Sequence, residues 1–408
     1  MRPAQRPRIA ILLLATVSSL LLLLAACGQP ATASHARPTP TRFVFTPLPT
    51  YPPIPTVKVI PSSGQPVWGN TTSWAHANLP AGFGMLFHES DLRVAASDGK
   101  TAYSCAVPGD QTQPGHPRVV VTHDGGATWA YTTAIPVAWY SCVQLVVDML
   151  NPSMVVAAGD FSGGTQEVTL DGGTSWQPLA LPPQEAILSL ATRGSSSYAL
   201  IQVPQNGGAS ATTILAESSD SLRTWHEIDG NLPAVNLRQF WINPGNGALM
   251  LLSYQTGLWS SADDGATWQQ AKIPVVGVVD YMVQQPIANQ PWRLCASYRA
   301  SENDSSTSLV CTADGGHGWF APPPVSFWQM AGISSDGALL VYDQSYMVYR
   351  LPAGATQWQK LGAAPHAGCC IAYMPSSKGD MLWKFPAESD GAAISDKPND
   401  VYVAAYPY

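Results

Sequence analysis

Past residue 82 the apolar positions fall in short runs of strand length. One group of four reads CVQLVVDM, MVVAAGDF, QEVTL and SWQPLAL, each continuous or alternating in its apolar residues and bounded mostly by Gly, Pro, Asn or Ser. Runs of this length and flanking composition read as β-strands. ILSLATR, SYALIQV, TTILAES and TWHEI follow, then RQFWINP, ALMLLSY, GLWSSA and TWQQAKI. Two more groups are VVDYMVQ, WRLCASY, SLVCTA, GWFAP and FWQMAGI, ALLVYD, YMVYRL, QWQKL. An earlier group spans about Gly82 to Pro136, with strands expected near Gly84 to His88, or on to Ala96, and at Thr101 to Val107, Arg118 to Thr122 and Thr128 to Ala134. The strands therefore come in fours.

A recurring stretch punctuates the groups: VTHDGGATW (Val121 to Trp129), TLDGGTSW (Thr169 to Trp176), SSADDGATW (Ser260 to Trp268) and CTADGGHGW (Cys311 to Trp319). ESSDSLRTW (Glu217 to Trp225) and LPAGATQW (Leu351 to Trp358) are weaker copies. Each predicts the end of one strand, a tight turn and a strand opened by Trp. Asp suits the turn because its carboxylate accepts hydrogen bonds from nearby amides, and Gly because it tolerates positive φ. The tryptophans recur at steps of 39 to 51 residues, the length of a four-stranded propeller blade.

These stretches resemble the Asp-box, or bacterial neuraminidase repeat, of the form Ser/Thr-x-Asp-x-Gly-x-Thr-Trp. The resemblance implies a β-propeller with the motif at the turn between the third and fourth strands of each blade. It also implies a structural role for Asp124 with Trp129, Asp171 with Trp176, Asp220 with Trp225, Asp264 with Trp268 and Asp314 with Trp319. After Trp358 only 50 residues remain, with three strand candidates in CCIAYMP, DMLWKF and VYVAAYPY. The missing fourth strand is expected near Trp74, from the N-terminal side, where it would close the ring and remove exposed edges. The expected fold is thus all-β: a seven-bladed propeller of four-stranded antiparallel blades, with six blades as the alternative count.

The first residues change the picture. Arg2, Arg6 and Arg8 precede an apolar run from Ile9 to Ala26, as in a secretory leader. Leu24-Ala25-Ala26-Cys27 resembles a bacterial lipobox, which implies a signal over 1–26 and a lipid on Cys27. Residues 27–65 are a Pro/Thr-rich tether too poor in periodic apolar surface to build a core, and 66–408 form the propeller. The expected location is the extracytoplasmic face of the cell membrane, reached through the lipid anchor, and the expected state is monomeric. Without the three leader arginines the 20 basic residues become 17, against 27 acidic ones. Such a balance disfavours nucleic acid, whose phosphates are met by basic side chains.

Six cysteines remain beyond Cys27. Cys295 and Cys311 fall on consecutive strands and Cys105 and Cys142 on neighbouring ones, so these are candidate disulfides; Cys369 and Cys370 are left over. No CxxC or His-rich spacing suggests a metal, and no cofactor is implied.

Asp-box resemblance brings sialidases to mind, enzymes that clamp a carboxylate with three arginines and use a Tyr/Glu pair and an Asp. Their Arg-Ile-Pro segment is absent here, and Arg93, Arg238 and Arg293 are the arginines left to converge. A glycosidase would also need paired carboxylates, and Glu89, Asp91, Asp148, Asp280 and Asp343 are scattered singly. Exported propellers similar to the photosystem II assembly and stability factors supply a second resemblance, one that implies a non-catalytic scaffold. The expected function is therefore a binding or scaffold module for protein or glycan ligands, with no catalytic residue assigned; a sialidase-like hydrolase is the alternative. Trp139-Tyr140, Trp241, Trp292 and Trp328 stand near blade starts, either as binding anchors or as packing between blades.

Overall fold

The structure is a computed structural model that describes strand segments at 75–76 and 92–94, most of 100–364, and strands at 370–374, 380–385 and 402–406. Gly84 to His88, Trp74, Cys369 and Asp314, each singled out in the sequence, lie outside the described residues, as do Cys27 and the leader. Among the described residues there are seven four-stranded antiparallel sheets. In chain order, sheet I lies within 92–131, sheet II within 142–178, sheet III within 186–227, sheet IV within 237–270, sheet V within 278–320 and sheet VI within 329–363. Sheet VII joins Cys370–Met374, Asp380–Phe385 and Tyr402–Tyr406 to the early strand Ala75–His76. That early strand pairs with the last one through Ala75 opposite Val403 and His76 opposite Tyr402.

Every sheet from I to VI is built in sequence order, and the first strands of successive sheets stand side by side. Gln239 of sheet IV strengthens this inner ring by accepting from the Met282 amide at 2.9 Å and donating to the Met282 carbonyl at 3.3 Å. Sequential four-stranded sheets with adjoining first strands define a β-propeller.

The core lies between sheets rather than within a single layer. Tyr103, Val119 and Val121 of sheet I pack with Leu145, Val155 and Ala157 of sheet II. Analogous clusters fill the II/III, III/IV, IV/V, V/VI and VI/VII junctions. Both faces of a blade are covered, so Val155–Gly159 and Leu249–Ser253 are buried along their whole length. That is why their sequences read as continuous apolar runs.

The fourth strands of sheets I to V are shorter than the sequence suggests. Gln177–Pro178, His226–Glu227 and Gln269–Gln270 have two residues each and are exposed. The chain then makes one more ladder bond, as from Leu179 N to Gln166 O at 2.8 Å, and turns inward to bury Leu179. Short polar outer strands, one carrying a proline, blunt edges that would invite pairing with other chains.

The repeated turn is a junction device. In sheet II, Asp171 Oδ1 accepts from the Thr169 hydroxyl (2.8 Å) and the Ser175 amide (2.9 Å), and Oδ2 accepts from the Ser175 hydroxyl (2.7 Å). Asp124 and Asp220 make the same set with Thr122 and Thr128, and with Ser218 and Thr224. In sheet IV the acceptor is Asp263, bonded to Ser261 and Thr267, and not Asp264 as the sequence reading had it. Asp264 is the next residue, at φ 58°, where the other turns place Gly125, Gly172 and Ser221.

The turn then docks on the preceding sheet. A Cβ on Gly173 would lie 2.2 Å from Thr132 Cγ2, and one on Gly265 2.7 Å from Ile228 O; both glycines also have φ near 90°. Close approach and positive φ together demand glycine there. The turn tryptophans of sheets II to VI wedge into the same junctions: Trp176 at I/II, Trp225 at II/III, Trp268 at III/IV, Trp319 at IV/V and Trp358 at V/VI.

Candidate functional site in the inner wall

Chemistry on a propeller belongs where side chains leave the framework, and the inner strands have a built-in means of doing this. A β-bulge interrupts the first strand of each of sheets II to VI. The register skips Leu188 in sheet III, Arg238 in sheet IV and Asp280 in sheet V. An extra residue on one strand bends it and re-aims its side chain away from the ladder. Leu188 is 37% exposed and Tyr281, beside Asp280, is 40% exposed, although both sit in inner strands. Arg238 is exposed as well. The inner strands of sheets III and IV thus expose an aliphatic and a cationic side chain at their bulges, and that of sheet V exposes an aromatic one next to its bulge.

Around this wall the charged groups are fixed. Arg299 donates from Nε and Nη2 to the two oxygens of Asp280, both at 2.7 Å, which holds the bulge of sheet V in a bidentate pair. Near the start of the next inner strand Trp328 is 46% exposed and meets Tyr342 and Tyr346 edge-on at 6.0 and 6.1 Å. Tyr346 has φ 59°, a costly conformation for an aromatic residue.

The other sequence candidates are framework. Trp139 and Trp241 are buried in junction clusters, with 2% and 5% exposure. Tyr140 and Trp292 lie outside the described residues. Asp148 is buried, accepts from Thr192 and from the Leu150 and Asn151 amides, and its pKa is raised by burial in spite of those bonds. Asp343 accepts from Ser345 and Tyr349. Both candidate disulfides are present, Cys105–Cys142 between sheets I and II and Cys295–Cys311 across neighbouring strands of sheet V.

The three candidate arginines do not form one clamp. Arg238 sits near the outset of the first strand of sheet IV, whereas Arg293 sits at the first hairpin of sheet V, at the other end of the strands. Arg293 donates to the Gly337 carbonyl of sheet VI at 2.5 Å, and the Arg93 side chain is outside the described residues. Among the described residues no group of three or more His, Cys, Asp or Glu is placed to hold a metal ion.

No family model and no curated protein matches the chain. Solved structures do. YCF48 bound to a D1 peptide is similar with a TM-score of 0.52 and 13% identity, over 82% of this chain and 97% of that one. YCF48 from Cyanidioschyzon merolae gives 0.50 and 11%, over 82% and 98%. An ancestral GH74 enzyme gives 0.52 and 13%, over 78% of this chain and 46% of that one, so the chain spans less than half of that enzyme. At these identities the likeness speaks to the fold, and the fold is that of a β-propeller.

Proposed function

We propose that this chain is a lipid-anchored, extracytoplasmic propeller of seven blades that binds a protein segment on its inner wall and does no chemistry of its own. The observation that carries this reading is the run of inner-strand bulges that turns Leu188 and Arg238 to solvent, with exposed Tyr281 next to the bulge at Asp280. An aromatic, an aliphatic and an arginine are among the residue types that anchor protein partners. A propeller of like fold, YCF48, has been solved with a D1 peptide bound, which supports a peptide as the ligand class. The turn geometry fits the Asp-box pattern with Asp263 in place of Asp264, and such turns serve the scaffold. The leader and Cys27 support the anchor.

A photo-reactive residue at Leu188 tests the reading. It should crosslink a protein in the cells that make this chain, and the same residue at exposed Asp171 should not. Equal crosslinking from both positions, or none from Leu188, contradicts it. For the anchor, Cys27→Ala should abolish incorporation of labelled fatty acid; persistent label refutes it.

Likeness to a GH74 enzyme favours glycoside hydrolysis as a second reading. It requires a free carboxylate pair, whereas Asp148, Asp280 and Asp343 are each held by other groups. Release of reducing sugar from a polysaccharide panel by the purified chain would favour hydrolysis over binding.

A further inference from the structure

Arg193 ends the first strand of sheet III, and Arg293 directly precedes the second strand of sheet V. Each stands at the first hairpin of its sheet and donates to the carbonyl of a glycine in the first turn of the next, Gly247 and Gly337 respectively. At the III/IV junction the repeated turn also supplies Asp264, which forms an ion pair with Arg193. Four residues before its tryptophan, as Asp264 is before Trp268, the turn of sheet VI has Gly354. The two residues share the left-handed conformation, with φ 58° and 71°. So LPAGATQW keeps the backbone of the turn with glycine at this position, as at Gly125 and Gly172, and has no counterpart to the carboxylate that Asp264 offers Arg193. Asp336 attracts Arg293 from the neighbouring turn, but Arg350 and Ser334 already hold it.

Arg293 and Gly354 both line a cleft of about 480 Å³ between sheets V and VI. Phe320, Ile333, Leu339 and Leu351 give it apolar walls. A Cβ on Gly354 would have nothing within 4 Å, so the place that the Asp264 side chain takes in sheet IV is open space here. Burial pushes the pKa of Arg293 down, as for a cation whose desolvation is incompletely compensated.

We infer that this cleft binds a small apolar carboxylate, whose head group takes on Arg293 the place that Asp264 takes on Arg193. A guanidinium fork suits a carboxylate, and the volume is that of a small-molecule site. The head group can come from the free C-terminus of a short apolar peptide or from a free aliphatic acid. This site is separate from the inner wall and stands or falls without it.

Isothermal titration of the purified full-length chain with N-acetyl-leucyl-leucine, with octanoate and with the amide of each tests the inference. At least one acid should bind, at least about tenfold more tightly than its amide, and whichever acid binds identifies the source. Arg293→Gln and Gly354→Asp should each weaken that acid at least about tenfold, the second by supplying an internal carboxylate. Gly354→Asn, of equal size and neutral, should keep binding, as should Arg193→Gln. Circular dichroism checks folding, and if Gly354→Asp does not fold the Arg293→Gln and amide arms decide. The inference is overturned if neither acid binds, if acid and amide bind alike, if folded Arg293→Gln or Gly354→Asp binds as wild type, or if Gly354→Asn loses binding as Gly354→Asp does.

Discussion

The indole N–H of Trp268 donates to the main-chain carbonyl of Ile228 at 3.1 Å, across the junction of sheets III and IV. Asn231 of sheet III's outgoing chain clasps the same residue, accepting from its amide at 2.8 Å and donating to its carbonyl at 3.3 Å. A turn of one sheet is thereby stapled to the end of the one before it. Trp268 is 3% exposed, so Trp268→Ala should cost about 3–5 kcal/mol through the cavity it leaves. Trp268→Phe retains most of the packing and should cost less, chiefly the lost indole bond and residual volume. Urea denaturation of the two variants measures the difference.

Adjacent aspartates in sheet IV should behave differently. Asp263 holds the turn through Ser261 and Thr267, while Asp264 makes an ion pair that is 61% exposed on its side. Asp263→Asn should lower the melting temperature more than Asp264→Asn, because exposed ion pairs contribute little. Melting curves of the two variants under one buffer decide it, and the reverse order would assign the turn to Asp264.

Acid should loosen these turns. Bonds from Thr224 and Ser218 pull the Asp220 carboxyl down to about 2, and bonds from Thr267 and Ser261 lower Asp263. For Asp124 burial acts upward, but bonds from Thr128 and Thr122 outweigh it and leave the pKa lowered. A depressed folded-state value stabilises the protein above the ordinary carboxylate range, and that stabilisation is lost as pH falls through the folded value. Stability should therefore drop between the ordinary aspartate value of 3.8 and about 2. Asp220→Asn should be less stable than wild type at pH 7 and flatten that drop, which melting curves across the range will measure.

Sheet III carries a strained version of the turn. Ser221 and Leu222 have φ 61° and 67°, where sheet II has Gly172 and Gly173. Exposed Ser221→Gly should stabilise by about 1 kcal/mol by removing the left-handed penalty. Leu222→Gly should instead destabilise, by at least about 2 kcal/mol, because Leu222 is 2% exposed in the II/III core. Equilibrium unfolding of both variants reads out the opposite signs.

Glu167 is 1% exposed, and its Oε2 accepts no hydrogen bond among the described residues. Burial raises its pKa. A carboxyl with a raised folded value destabilises once pH exceeds its unfolded value, so Glu167→Gln should be more stable than wild type at pH 7. The gain should fade as pH drops below the ordinary 4.5. Melting curves at pH 7 and pH 4 check both sign and fading.

Much of the architecture was legible in the sequence because it is local and repeated. Apolar runs marked the strands of sheets II to VI, and tryptophan spacing marked the junctions. Even the early strand of sheet VII was placed near Trp74, and Ala75–His76 is that strand. The sequence blurs Asp263 and Asp264 because two aspartates adjoin; counting five residues back from Trp268, as from Trp129 to Asp124, separates them. The inner wall was not legible. Bulges at Leu188 and Arg238 come from the register each strand takes with the next one along the chain, and no local composition announces that the register skips them. Nor does spacing reveal that Arg238 and Arg293 stand at opposite strand ends.

The most direct test of the central claim compares full-length wild type with an inner-wall variant, Arg238→Glu with Tyr281→Ala, and a turn variant, Asp171→Asn, as baits in cells that make this protein. Crosslinked partners are quantified by mass spectrometry after detergent extraction. Wild type and Asp171→Asn should recover the same protein partner, and the inner-wall variant should lose it while melting as wild type does. Equal recovery by all three baits would contradict binding at the inner wall.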